Sequence, residues 1–105
     1  MTKPLSFDDE AVEELESAAH WYETNKEGLG IEFVHAVREA LLRIAERPHA
    51  WPLKASVPPH LNAKHFVLRR FPYTVVYIEF DNEIRVLAVA HTSREPGFWR
   101  GRLKP

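Results

Sequence analysis

The sequence predicts an α+β fold in which an N-terminal helical hairpin packs on a small, mainly antiparallel sheet in the order β-α-α-β-β-β. Three observations carry this reading. The first half contains two stretches with apolar residues at the three-to-four spacing of a helical face. The second half alternates with a period of two between turn-forming residues, as strands do. The length, 105 residues with 45% hydrophobic and 28% charged residues, is that of one globular domain spanning 1–105.

Leu5–Phe7 is long enough only for a short edge strand. Ser6 and Asp9 then resemble a capping box, and Asp8, Asp9 and Glu10 crowd a first turn where the helix dipole favours acids. Val12, Leu15, Ala19 and Tyr22 line one helical face. Residues 25–30 hold two glycines and break the pattern. A second face of Val34, Val37, Leu41 and Ile44 runs to Arg47, because Pro48 cannot continue a helix. Residues 48–63 form a Pro-rich connecting loop, read as an ordered flap held down by Trp51 and Leu53. Residues from about 100 to 105 are read as a flexible tail.

Strands are expected at about Lys64–Arg69, Tyr73–Phe80 and Ile84–His91. A three-residue turn at Asp81-Asn82-Glu83 would set Glu79 opposite Arg85, Tyr77 opposite Leu87, Val75 opposite Val89 and Tyr73 opposite His91. Val76, Ile78, Phe80, Ile84, Val86, Ala88 and Ala90 would then face the helices, joined by Phe66 and Leu68. The other face would carry His65, Val67, Arg69, Tyr73, Tyr77, Glu79, Arg85 and His91 and stay partly open.

Composition excludes several classes. With no cysteine there is neither a disulfide framework nor a Cys-ligated zinc site. No apolar run approaches the roughly 20 residues of a membrane span, and Met1–Leu5 has no signal-peptide core, which suits a cytoplasmic protein. Glycine-rich phosphate loops, nucleophile elbows and paired metal-binding histidines are absent, so no metal or cofactor is expected. His20 and His35 read as surface residues, and Trp21, Trp51 and Phe33 as packing residues. The net charge of −1 hides an asymmetry: residues 1–47 carry eleven acids against five Lys/Arg, residues 48–105 four acids against nine. That division fits either an anionic partner for the basic half or a solvated acidic helical layer beside a basic sheet.

One constellation carries chemistry. With Arg69 set opposite Tyr73, the expected register puts Arg69, Tyr73 and His91 in a row across three strands, with Arg94 just beyond. Guanidinium groups beside an imidazole suit a phosphodiester: arginine binds phosphate oxygens bidentately, and histidine can move a proton near neutrality. Trp99 or Phe98 could stack on a base. The alternative is a Tyr73–His91 cross-strand pair with arginines solvating a sheet edge.

The stretch Leu68-Arg69-Arg70-Phe71-Pro72-Tyr73-Thr74-Val75-Val76-Tyr77, with Ile84 to Arg94 ending Ala90-His91-Thr92-Ser93-Arg94 and then Pro96 and Trp99, resembles the RelE/ParE superfamily of bacterial toxins, which includes plasmid stabilisation proteins. The paired Glu/Ala-rich helices are similar too. The resemblance implies a toxin of a type II toxin–antitoxin system that inhibits growth and is neutralised in a hetero-oligomer with its cognate antitoxin. RelE-like members are mRNA interferases that cleave messenger RNA on the ribosome without a metal; ParE-like members are non-enzymatic DNA gyrase inhibitors. An attenuated toxin retaining only antitoxin binding is a further alternative. In the RelE-like case His91 would be the acid/base, Arg69 and Arg94 would hold the scissile phosphate, and Trp99, Tyr73, Arg70 and Arg100 would bind substrate. The lysine cluster of RelE-like nucleases has no clear counterpart, Lys54 and Lys64 being isolated. In the ParE-like case Arg94, Arg100, Arg102 and Lys104 would matter more than His91.

Overall fold

The computed structural model describes residues 3–51, 63–95 and 97–102. Strand β1 (Leu5–Phe7) is followed by helices α1 (Asp9–Asn25) and α2 (Leu29–Glu46), then by strands β2 (Ala63–Val67), β3 (Tyr73–Glu79) and β4 (Ile84–His91). A short 3-10 helix, Phe98–Arg102, closes the described chain. The sheet order is β1-β4-β3-β2, with β1 parallel to β4 and the other neighbours antiparallel. Residues 52–62 of the expected flap lie outside the described residues. The expected loop ends one residue early, since Ala63 already pairs with Ile78.

Local sequence explains both helices. The N-cap of α1 is Asp8, whose carboxylate accepts the Glu10 amide; Ser6, expected to cap, belongs to β1. Gly28 caps α2 at φ +86°, a left-handed backbone that favours glycine. At Gly30 the helices nearly touch: a Cβ there would lie 2.5 Å from the Ala19 carbonyl oxygen. Gly30→Ala is therefore expected to destabilise the fold by about 2 kcal/mol despite its better helix propensity, because the hairpin must splay. Urea denaturation of the variant checks this, and a variant as stable as wild type would show that the hairpin can open freely.

The helices bury Ala11, Ala18, Tyr22, Phe33, Val37 and Ile44 against Val75, Tyr77, Ile84, Val86 and Val89. Tyr77 donates its hydroxyl to the Pro48 carbonyl and so ties the end of α2 to the sheet; burial raises its pKa well above the usual range. Trp51 packs on Phe66 at 4.6 Å between ring centroids, and Phe33 is fully buried. Trp21 is not a packing residue as expected: it is 58% exposed.

A bulge corrects the expected register. Tyr73 opposes His91 and Val75 opposes Val89 as expected, but Tyr77 opposes Val86, leaving Leu87 unpaired on β4. Glu79 therefore lies opposite Ile84; it pairs with Lys3 at 2.8 Å, while Arg85 pairs with Glu83 at 3.1 Å. The helix-facing set changes accordingly. Tyr73, Val75 and Tyr77 point to the helices, whereas Val76, Ile78, Leu87 and Ala88 form a second cluster on the opposite face. That face is not open, because Trp99 from the 3-10 helix lies on it, fully buried. Of the tail expected from about residue 100, Arg100 to Arg102 belong to the 3-10 helix; residues 103–105 lie outside the described residues.

Candidate functional site

The site is built where β4 runs out. Strand β1 stops at Phe7, so beyond Val86 the outer edge of β4 has no strand beside it. The bulge turns the Leu87 carbonyl and the Val89 amide toward that bare edge. Unpaired backbone groups are costly, and two side chains satisfy them. Glu14, reaching down from α1, accepts the Val89 amide at 3.1 Å, and Arg102 donates to the Leu87 carbonyl at 2.7 Å. Glu14 and Arg102 also bind each other through two hydrogen bonds of 2.9 and 3.0 Å. Arg102 additionally meets Glu10 at 3.3 Å. The hydrogen bond to Glu14 outweighs desolvation and raises the Arg102 pKa, so its charge is secure.

Arg94 belongs to the same cluster. Its guanidinium lies 3.9 Å from the Phe98 ring centroid and 3.8 Å from Glu14, with half its side-chain surface exposed. Aromatic stacking and a shared carboxylate thus hold one cationic face toward solvent. His91 ends β4 immediately after the buried Ala90 and is exposed. Its Nδ1 lies 3.0 Å from the Ser93 amide and 2.8 Å from the Ser93 hydroxyl. A backbone amide can only donate, so Nδ1 is an acceptor and the neutral ring carries its proton on Nε2. Tyr73 meets His91 edge-on at 5.4 Å between centroids, and burial raises the Tyr73 pKa.

The expected row does not form intact. Tyr73, His91 and Arg94 are brought to one end of β4. Arg69 is not: the Leu68 amide pairs with the Tyr73 carbonyl, a one-residue shift from the expected register that puts Arg69 in the turn. Arg69 lines a groove beside α2, as does Arg70, whose Nη2 binds Glu32 at 2.6 Å and lowers the Glu32 pKa. Trp99 is buried in the second cluster and presents no face to a base, while Arg100 is exposed on the 3-10 helix. One organising residue, Glu14, escaped the sequence reading, and Arg102 was expected only as part of the basic C-terminal segment, not as the partner of Glu14. Glu14 is one acid among many in α1, and nothing local marks it as the one reaching an unpaired amide 75 residues away. Among the described residues no cluster of His, Cys, Asp or Glu could hold a metal ion, and no helix is long and apolar enough to cross a membrane.

A helical hairpin covers one face of a four-stranded sheet, the fold that the resemblance implied for a small toxin of a type II toxin–antitoxin system. Within that class the chain belongs to the ParE family: the family profile described as the ParE toxin of the type II toxin–antitoxin system parDE matches residues 5–96. The fold resembles the chromosomal ParDE toxin–antitoxin system of P. aeruginosa, with a TM-score of 0.72 and 16% identity over 86% of this chain and 96% of that one. It also resembles a free-state mutant of the E. coli toxin RelE, with a TM-score of 0.64 and 18% identity over 99% of this chain and 100% of that one. No curated protein sequence matches. Membership in the family implies an antitoxin partner.

Proposed function

We propose that this toxin arrests growth as a ParE-type, non-enzymatic binder of DNA gyrase rather than as a ribosome-associated nuclease. The observation that carries the reading is the state of His91. A base acting on a 2′-hydroxyl needs a free lone pair, and in this ring Nδ1 is occupied by Ser93 while Nε2 bears the proton. The arginines point the same way. Phosphate cleavage needs cations converging on one phosphorus, whereas Arg94 stands at the end of β4 and Arg69 on the groove beside α2. The match to the ParE family profile supports this reading.

The exposed cations Arg94 and Arg100, carried on a segment fastened by Arg102, would contact the target; Lys104 lies outside the described residues. In this reading His91 contributes no chemistry. His91→Ala is expected to arrest growth as strongly as wild type, within about threefold, whereas loss of a general acid or base costs about 10²–10⁴ in rate. The test is induction of the wild-type gene with parallel assay of DNA double-strand breaks and codon-specific message cleavage. Purified protein incubated with gyrase and supercoiled plasmid should yield linear DNA after detergent and protease treatment. Message cleavage with intact chromosomal DNA, abolished by His91→Ala, would establish the RelE-like reading instead.

A further inference from the structure

The helical hairpin turns one face away from the sheet, and nothing among the described residues covers it. On α2 that face holds Ile31, His35, Arg38 and Leu42, opposite the buried Phe33, Val37 and Ile44. Ile31 and Leu42 are 62% and 57% exposed, and Val12 and Val34 are exposed beside the seam between the helices. Arg38 is the charged residue there, beside His35, while Glu32 and Glu39 lie farther round the helix toward β2. Helix α1 is the reverse: it carries six acids and no lysine or arginine. Arg102 holds Glu10 and Glu14, and Glu23 accepts the Gly28 and Gly30 amides. Glu13 and Glu16 stand on the outward face, opposite Ala11, Ala18 and Tyr22. They have no cationic partner among the described residues, and Arg38 has no acidic one.

From this pattern we infer that a second copy of the chain docks here, the two hairpins stacking about a two-fold axis parallel to their helices. A two-fold interface must be complementary to itself, and this face carries an apolar, cationic half beside an acidic half. Two stackings are open to it. An axis across the helices lays α1 on the partner's α1 and sets acids against acids. An axis along the helices lays α2 on the partner's α1, so Arg38 meets acids instead. That symmetry also fixes the register. Gly30 rests against Ala19. At about 1.5 Å per residue, Arg38 is then level with Ala11 and His35 with Glu14. The two-fold keeps those levels, so Glu13 of the partner subunit falls between Arg38 and His35. The acids of α1 keep a nucleic-acid backbone off the same face. Two helices about 27 Å long and about 9 Å apart bury about 1,000 Å² in total, the lower end for a specific interface. The dimer is accordingly weak. Helix α1 runs alongside β4, from Asp8 at Val86 to Glu14 at Val89, so both Arg94 side chains leave the dimer at the same end.

The test is sedimentation equilibrium of the full chain between about 5 and 500 µM, where a dissociation constant of about 10–100 µM is expected. Arg38→Glu and Glu13→Arg should each weaken the dimer about tenfold or more, because each sets like charges together twice per dimer. Mixing the two variants should recover the wild-type dissociation constant within about threefold, since the mixed pair restores both contacts. Ile31→Asp should weaken the dimer to a similar degree by placing a carboxylate in the apolar part of the face. Thermal melts by circular dichroism establish that all three variants, changed at exposed positions, are folded. A chain that stays monomeric throughout the range overturns the proposal, as does a dimer indifferent to the three substitutions. Weakening by each single variant with no recovery on mixing overturns the crossed stacking. If the wild type is monomeric and the full-length product of the adjacent gene binds it through Ile31 and Arg38, the face belongs to that partner and the proposal fails.

Discussion

Trp99→Ala is expected to destabilise the protein by about 4 kcal/mol, the largest effect of any single substitution outside the helix-facing core. The indole is fully buried on Val76, Ile78, Leu87 and Ala88, and it is the largest side chain covering that sheet face. Its removal leaves a cavity at the sheet's centre and unseats the 3-10 helix that carries it. Trp99→Phe should cost far less, about 1 kcal/mol, because the Trp99 Nε1 is buried without an acceptor among the described residues. The shorter ring removes that unsatisfied donor together with some packing. Urea denaturation of both variants measures the difference. If alanine costs under about 1 kcal/mol, the tryptophan is not what seals this face.

The second large effect is at the Glu14–Arg102 pair. Glu14→Ala is expected to cost about 3 kcal/mol, since it leaves a mostly buried guanidinium and the Val89 amide without their partner. Arg102→Ala should cost a similar amount by stripping the Leu87 carbonyl and leaving Glu14 among backbone groups. The double variant should cost about 2 kcal/mol less than the two singles together, because each single change strands the other residue. Hydrogen exchange at Val89 gives a local readout and should quicken in every variant lacking Glu14. A Glu14→Ala protein of unchanged stability, with Val89 still protected, would mean that water serves this edge as well as the carboxylate does. The same substitution frees Arg94 from one of its two restraints, so DNA breakage by Glu14→Ala, assayed at a temperature where the variant is folded, reports whether the target needs Arg94 held in place.

Much of the architecture is legible in the chain. Leu5–Phe7 and Ile84–His91 form strands over the expected residues, and Gly28 and Pro48 bound α2. Each of these rests on local chemistry: alternation, a missing amide, a left-handed backbone. Family membership was legible as well, in the residues from Arg69 to Trp99, and the family profile bears it out over residues 5–96. Which sheet face meets the helices was not. In β3 every residue from Thr74 to Ile78 is buried, so both faces are apolar and alternation cannot choose between them. The bulge at Leu87 then exchanges the two faces of β4 partway along.

The candidate site divides along the same line. Sequence alone determined that a tyrosine and a histidine would meet across β3 and β4 and that a cationic segment would follow them, because register near a strand pair follows from side-chain pattern and turn length. Only the tertiary structure decided what surrounds them. It moved Arg69 to the α2 groove by a one-residue shift and buried Trp99. It also recruited Glu14 and Arg102 from opposite ends of the chain to satisfy two backbone groups. The physical reason is that those groups are exposed by where β1 stops and where β4 bulges, two facts of pairing between distant strands that no local pattern encodes.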